Sequence, residues 1–497
     1  MMWIARSIIQ LHYVWITVAL LASPLGMKAQ ENKPPNVLLI CVDDLLPALG
    51  CYGNDEVHSP NIDALAEQSA LFEKQYVTVP TCGASRYSLL RSRLPCTEAE
   101  LGNNIAHTLS NRSPAEKKTP ESFIEQFRRN GYYTVGIGKV SHYPDGYIYP
   151  YEGPKSERLE WPHTWDEMLF DSGKWAHAWD AFFAYADGGS RTTKKQVKPF
   201  EAADVPDEGY PDGLTANLAV NKLKELAQGQ QPFFLGVGFF KPHLPFNAPQ
   251  KYWDLYEEDQ LTLTPTPALP EQVNRASLHN SAEFNQYQLG DERASLDNAL
   301  SDRYSRKLLH GYYACVSYID AQIGKVLEAL KENNLEDNTI VVLWSDHGWH
   351  LGDYRVWGKH TLFDRSLRSV LILRTPAMTK GVKIKRIVSA VDIGATLLDL
   401  CAVPEMPDAD GRSMAPLLMN SEDRSWEDVA FSYYRRGVTM TTSRYRFTKY
   451  FRDEQPNMEL FDHKIDPLET RNIAAERPSL IRKLEPLWKK GNTGLFE

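Results

Sequence analysis

Asn36-Val-Leu-Leu-Ile-Cys-Val42 is an unbroken apolar run, preceded by Pro34-Pro35 and followed by Asp43-Asp44. A strand with one solvated face would alternate apolar and polar residues. This run has no polar face, so it reads as a strand buried on both sides. Similar runs occupy residues 132–137, 233–240, 340–344 and 370–373. Helical patterns lie between them. Residues 61–69 place Ile62, Leu65 and Ala66 on one face, and 310–331 does the same with Ala314, Ile319, Ile323, Val326, Leu327 and Leu330. A third helix is expected to start at Thr119 as N-cap, with Pro120 at its first position and Gly131 as its stop. Strands alternating with helices predict an α/β fold with a large mixed, mostly parallel sheet flanked by helices. Beyond residue 421 the pattern changes. Residues 430–434, 438–442 and 445–450 read as short antiparallel strands and 478–490 as a helix over them, a small C-terminal α+β subdomain spanning 422–497.

The chain has 497 residues, enough for one large catalytic domain (31–421) plus that appendage. Lys and Arg number 55 against 64 Asp and Glu, a net charge of −9. That balance gives no overall attraction to nucleic acid, so an anionic substrate requires a local basic pocket. Residues 1–30 read as a signal peptide: Arg6, a short apolar core over 14–22, and a more polar stretch ending near Ala29. The core is short for a membrane span and no second one follows. The expectation is a periplasmic or secreted protein with no stable membrane span after cleavage. Six cysteines are too few for a disulfide scaffold, and none forms a Cys-x-x-Cys pair. Cys41, inside an apolar strand, reads as a buried thiol.

In open α/β sheets the active site lies beyond the carboxyl ends of the strands. Asp43-Asp44 ends the first strand here, Lys139 and His142 follow the second run, Lys241-Pro-His243 the third, and Asp346-His347 the fourth. Each alone reads as a turn residue or a solvated charge. Four at the same expected edge point to a site.

About 40 residues after the paired aspartates comes Cys82-Gly83-Ala84-Ser85-Arg86, ahead of a segment that reads as a helix. Cys-x-Pro/Ala-Ser-Arg resembles the motif by which type I sulfatases convert cysteine to formylglycine. Within that family the likeness is to iduronate-2-sulfatases, through residues 36–63, Gly138-Lys-Val-Ser-His142, Lys241-Pro-His-Leu-Pro-Phe246 and Ser345-Asp-His-Gly-Trp349. It extends with gaps to residues 410–418, and resumes at Glu459-Leu-Phe-Asp462 and Asp466-Pro-Leu-Glu469. The resemblance implies an alkaline-phosphatase-like sulfatase fold and a sulfuric ester hydrolase acting on a sulfated oligosaccharide. Such an enzyme would act exo on a glycosaminoglycan or similar polysaccharide, with a 2-O-sulfated uronate as the implied substrate. It also implies a partner, the maturase that makes formylglycine from Cys82. Ala84 departs from the commoner Pro and limits which maturase can act.

The same resemblance assigns the chemistry. The formylglycine hydrate attacks sulfur with one hydroxyl and releases sulfate with the other, a two-step path that serine could only begin. A divalent cation is expected on Asp43, Asp44, Asp346 and His347, with residue 82 beside it. Carboxylates favour Ca²⁺, whereas an imidazole is not among its usual ligands, so Mg²⁺ stays open. Arg86, one helical turn from Cys82, would orient the diol; Lys139, His142 and Lys359 would contact sulfate and nucleophile. His243 is expected to protonate the leaving alkoxide and His142 to act as base, though the two roles are interchangeable at this level. The alternative is a phosphate mono- or diester hydrolase of the same broad class, which would normally use Thr or Ser and paired zinc sites. Specificity is expected from loops at 349–357, including His350 and Arg355, from 210–212, and from Arg435 and Arg436. Residues 191–198 read as a basic surface loop, and the remaining basic residues of the C-terminal strands as a solvated face.

Overall fold

The opening apolar run forms β1 (Asn36–Val42), every residue of it buried. The computed structural model describes residues 33–105, 122–194 and 196–496. Around β1 stand β2 (Ala70–Tyr76), β3 (Tyr133–Gly138), β4 (Glu167–Leu169), β5 (Phe233–Phe239), β6 (Thr339–Ser345), β7 (Arg368–Ser369), β8 (Leu371–Arg374) and β9 (Val382–Ser389). They form one nine-stranded sheet in the order β7-β2-β8-β6-β1-β5-β3-β4, with β9 also paired to β2. The centre and one wing, β6 through β4, are parallel. On the other wing β8 runs antiparallel to both β6 and β2, which makes the sheet mixed.

Alternation within β1 divides the core. Leu38, Ile40 and Val42 face one apolar cluster, built with α1 (Pro60–Ala66), α4 (Pro211–Leu226) and α5 (Asp302–Glu332). Val37, Leu39 and Cys41 face the other, built with α2 (Cys82–Arg91), α3 (Phe123–Arg129) and α6 (Asp392–Leu400). Both faces are thus covered by helices, the condition that allows a strand to be apolar throughout. Each fully buried aliphatic side chain contributes about 1.5–3 kcal/mol, so these two clusters hold the strand ends in place. Cys41 is a buried free thiol, and all six cysteines are unpaired.

Not every expected element meets the structure. Thr119 and Pro120 lie outside the described residues, and the helix they were to open starts at Phe123, where the Ser122 side chain accepts a hydrogen bond from Glu125 N. β2, β4, β7 and β9 were not anticipated. In β2, Glu73 and Lys74 interrupt the apolar run; β9 carries Lys383, Lys385 and Arg386, and its pairing with β2 shifts register between Ile384 and Ile387. The signal peptide expected at 1–30 lies outside the described residues. No helix among them is long and apolar enough to cross a membrane.

A second sheet, of four consecutive antiparallel strands, comprises β10 (Val429–Tyr434), β11 (Gly437–Thr442), β12 (Tyr445–Tyr450) and β13 (Met458–Asp462). Helix α7 (Pro478–Trp488) lies against it, and Trp488 Nε1 donates to Val438 O at 3.0 Å. Pro34–Glu497 is one compact unit, in which Tyr433 N donates to Thr78 O at 2.7 Å and Ser432 Oγ to Val77 O at 2.5 Å.

Candidate active site

Strands β6, β1, β5 and β3 are neighbours, and their carboxyl ends share one edge. Asp346 and His347 leave β6, Asp43 and Asp44 leave β1, Lys241 and His243 follow β5, and Lys139 and His142 follow β3. None of these eight is more than 6% exposed. So many ionisable groups can be buried only if they pair. Lys139 Nζ meets Asp43 Oδ2, Arg86 Nε meets Asp346 Oδ2 at 2.9 Å, and Lys359 Nζ meets Asp44 Oδ1 at 3.0 Å. Burial alone would raise the Asp43 carboxyl, but Lys139, His243, Arg86 and Lys359 hold it well below the usual range. Asp44 has a left-handed backbone (φ 61°), a conformation that aspartate tolerates. Its amide donates to Asp346 Oδ1 at 3.1 Å and its carbonyl accepts from Tyr312 Oη at 2.7 Å, which fixes that strained turn.

Cys82 is the first residue of α2, so the helix places its side chain at the mouth of this edge. Its Sγ lies 3.2 Å from Lys359 Nζ and 3.3 Å from His347 Nε2. Gly83 donates its amide to Asn103 Oδ1 at 2.8 Å, and a Cβ there would stand 2.7 Å from that oxygen and 3.2 Å from His142 Cγ. The glycine of the motif is what lets His142 approach the helix end. Ser85 Oγ donates to Asp346 O at 2.5 Å. Arg86 Nη1 donates to the carbonyls of Lys139 and Val140. Arg86 therefore binds β3, β1 and β6 together behind the cavity, and makes no hydrogen bond to Cys82.

The two imidazoles differ. His142 packs on Trp179 (ring centroids 5.5 Å apart), and its Nδ1 is buried with no hydrogen-bond partner. Burial, and then Lys139, push it well below the ordinary histidine value, leaving it a neutral acceptor. Burial and Lys359 push His243 down to about 4. Both its nitrogens nevertheless face acceptors, Nδ1 to Leu244 O at 2.6 Å and Nε2 to Glu283 Oε1 at 2.9 Å. Only the imidazolium satisfies both contacts, so the geometry favours a proton on each nitrogen. Lys241 is spent elsewhere: its ammonium donates to the carbonyls of His243 and Pro245 at 2.6 Å each, shaping the loop that carries His243.

These groups surround a cavity of about 280 Å³ lined by Cys82, Lys139, His142, His243 and Lys359. The rim adds residues that the sequence did not single out: Asn103, Tyr151, Phe182, His279, Glu283 and His360. Arg191 is also there, over the Phe183 ring at 3.8 Å and donating to Gln286 Oε1 at 2.7 Å, so it is not the surface-loop charge expected. Arg435 lines the rim as anticipated, whereas Arg436 turns away to donate to Phe451 O. His350 and Arg355 do not reach the cavity. His350 is fully buried against Thr361, and Arg355 donates to the carbonyls of Leu296 and Asp297. The 210–212 segment is structural too: Asp212 accepts from the amides of Phe240 and Lys241. In the C-terminal strands Arg446 is fully buried between the Phe363 and Phe461 rings and pairs with Glu469, so that basic face is only partly solvated.

Ligand atoms of Asp43, Cys82, Asp346 and His347 lie within 4.8 Å of one another, and those of Asp44, Cys82 and His243 form an overlapping group. Asp43 Oδ1 is buried without a hydrogen-bond partner. His347 Nδ1 is 3.1 Å from Gly348 O, which leaves Nε2 turned toward Cys82 and Asp346. An orphaned carboxylate oxygen beside a second carboxylate and an imidazole nitrogen facing the Cys82 thiol suits a divalent cation. Asp44 stands slightly apart, its carboxylate 3.3 Å from His347 Nδ1 and in contact with Lys359.

Solved structures share this architecture over nearly the whole chain. One is a complex with its substrate D-glucosamine-2-N,6-O-disulfate, matched with TM-score 0.69 and 20% identity over 92% of this chain and 97% of the other. Another is a phosphonate monoester hydrolase from Silicibacter pomeroyi, with TM-score 0.71 and 23% identity over 92% and 94%. At such identities the likeness defines the fold alone, an alkaline-phosphatase-like sulfatase fold with a large mixed, mostly parallel sheet. The sulfatase family model matches residues 35–403, and the chain belongs to the sulfatase family. A further model, described as N-sulphoglucosamine sulphohydrolase, C-terminal, matches residues 352–489. Iduronate 2-sulfatase of Mus musculus is 33% identical over 362 residues, 69% of this chain and 60% of that protein. The Homo sapiens enzyme is 31% identical over 366 residues, 72% and 63%. A sulfatase of Formosa agariphila is 28% identical over 501 residues, 97% and 92%. The chain thus spans less than two thirds of the length of the two iduronate 2-sulfatases.

Proposed function

We propose that this protein is an exported sulfuric ester hydrolase that releases sulfate from a sulfated saccharide, with formylglycine made from Cys82 as nucleophile and Ca²⁺ as its metal. The observation that carries the reading is the placement of Cys82. It opens a helix at the floor of a small cation-lined cavity, against Lys359 and His347 and beside a carboxylate set with an orphaned oxygen. A maturase would convert the Cys82 thiol to an aldehyde before the enzyme is competent. The hydrate then supplies two hydroxyls, one to attack sulfur and one through which sulfate leaves as the aldehyde is restored.

Asp43, Asp346 and His347, with residue 82 and Asp44 next to them, would hold the cation, which would supply Lewis acidity to a sulfate oxygen and to the diol. Arg86 fixes the relative positions of Asp43 and Asp346. Lys139 and Lys359 offer ammonium groups to the anionic sulfate oxygens. His142, with a free buried Nδ1, accepts a proton from the diol. His243 gives its Nε2 proton to the departing alkoxide.

The resemblance to iduronate 2-sulfatases favours a 2-O-sulfated uronate at the end of a polysaccharide fragment. Arg191 and Arg435 support an acidic sugar: both line the rim, and neither has a carboxylate partner among the described residues. The test is a panel of sulfated di- and oligosaccharides, with an aryl phosphate alongside, scored by free anion and by position of release. Activity confined to 6-O- or 4-O-sulfated hexosamines would remove the uronate reading and keep the sulfatase. Hydrolysis of phosphate esters without sulfate release would remove both.

A further inference from the structure

Glu283 is the carboxylate of the cavity that the proposed chemistry does not use. It belongs to neither candidate metal-binding group. It does not come from a strand end but from the irregular segment before α5, just ahead of a single helical turn at Phe284–Gln286. Its Oε1 lies 2.9 Å from His243 Nε2 and 3.4 Å from Lys359 Nζ. In the proposed chemistry these are a donor to the sulfate oxygens and the donor to the ester oxygen of a group entering over Cys82, and Lys359 Nζ is itself 3.2 Å from Cys82 Sγ.

The other oxygen, Oε2, is buried and has no hydrogen-bond partner. A carboxylate so placed is held by charge and by one oxygen only, with the second desolvated and unsatisfied. The side chain keeps 21% exposure, which gives it a way out toward the cavity mouth. The backbone on both sides is fixed. Ser281 Oγ accepts from Trp357 N at 2.9 Å, and Asn285 Nδ2 donates to the carbonyls of Asn280 and Ala294 at 2.8 Å each. The carboxylate can therefore leave by side-chain rotation, without movement of the loop.

We infer that Glu283 is a resident anion that occupies the sulfate position of the free enzyme and competes with substrate and product for Lys359 and His243. A substrate that brings sugar contacts as well as sulfate displaces it. Free sulfate, which has no such contacts, is met by the returning carboxylate and released. Glu283 thereby sets how strongly a bare anion is held, and so discriminates an esterified sulfate from the product. This rests on the reading of the cavity as a sulfate-ester site.

The experiment is calorimetric titration of sodium sulfate into the mature, metal-loaded enzyme at fixed ionic strength, for wild type and Glu283→Gln. Sulfate inhibition and KM for an aryl sulfate are measured in parallel. The amide keeps the shape and removes the charge. Sulfate is expected to bind Glu283→Gln about tenfold or more tightly, the scale of removing a like charge beside a buried anion. The inhibition constant should fall in step. Glu283→Asp, which withdraws the carboxylate by one methylene, should shift both in the same direction by less, and it serves if the amide variant is poorly folded. Unchanged or weaker sulfate binding in both variants would overturn the inference and make Glu283 a structural partner of His243. If binding tightens while no variant hydrolyses any sulfate ester, the competition stands and the sulfatase reading fails.

Discussion

At the scale of single residues, the site is a set of donors whose roles separate by what each touches. His243 holds acceptors at both nitrogens, while His142 has a free one, and within the proposed chemistry this difference favours His243 as acid and His142 as base, roles that sequence left interchangeable. The assignment predicts how a variant divides its substrates. His243→Ala should lose about 10²–10⁴-fold in kcat on a sugar sulfate, and far less on an aryl sulfate whose phenolate leaves unaided. Equal losses on both would make His243 a sulfate-binding residue instead. Most of the floor was legible in the sequence because each residue directly follows an apolar run: Asp43, Lys139 and Asp346 need only the strand to be placed correctly. The rim was not. Glu283 and His279 sit in a long stretch without periodicity, and nothing near Arg191 distinguishes a guanidinium stacked on Phe183 from one in water. Arg86 was legible as a residue of the motif, but its place behind the carboxylates depends on three strand ends that only the folded chain brings together.

At the scale of elements, apolar runs located the strands at the centre of the sheet to within a residue or two, and failed toward both of its edges, where burial is partial. β2 and β9 carry charges in mid-strand because they lie toward the edge of the sheet, where one side chain in two can reach solvent. The second sheet was read correctly for three strands. Met458–Asp462 was noticed only as a family-like motif, although it pairs with Tyr445–Tyr450 and packs Phe461 onto Arg446. Arg446 locks this sheet to the segment after it, since its Nε lies 2.5 Å from Glu469 Oε1, and His463 Nε2 is 2.7 Å from the same oxygen. Burial alone would raise the Glu469 carboxyl, but Arg446 and His463 hold it at about 2. An unfolded glutamate titrates near ~4.3. The folded value is the lower one, so this group stabilises the fold above about 4.3 and the contribution disappears as pH falls from there toward about 2. Melting curves should therefore show a steeper loss of Tm across that interval in wild type than in Glu469→Gln. The variant should start several degrees lower, because it leaves Arg446 buried and unpaired. Parallel Tm–pH profiles for the two proteins would rule out Glu469 as an acid-sensitive tie.

At the scale of the molecule, an acidic chain with a net charge of −9 has built a buried cationic cavity at the strand ends of its sheet, and charge pairing rather than overall composition makes that possible. The carboxylates that neutralise those cations also gather around an orphaned oxygen of Asp43, which ties the proposed metal to the stability of the whole fold. Chelation should then abolish turnover and lower Tm, with both restored by Ca²⁺, because an ion that binds only the native state stabilises it. Fully active protein containing stoichiometric zinc and no calcium or magnesium would favour a phosphoesterase. The overall architecture was readable from the order of runs and helices; the substrate was not, because in the proposed chemistry the floor of the cavity meets only a sulfate group and the rim comes from segments far apart in the chain. Turnover by the proposed route depends most on the chemical state of residue 82. Mass spectrometry of the peptide containing that residue, taken from fully active enzyme, should show the aldehyde or its hydrate, with Cys82→Ser inactive in turnover. Fully active enzyme carrying only unmodified cysteine at position 82 would contradict it.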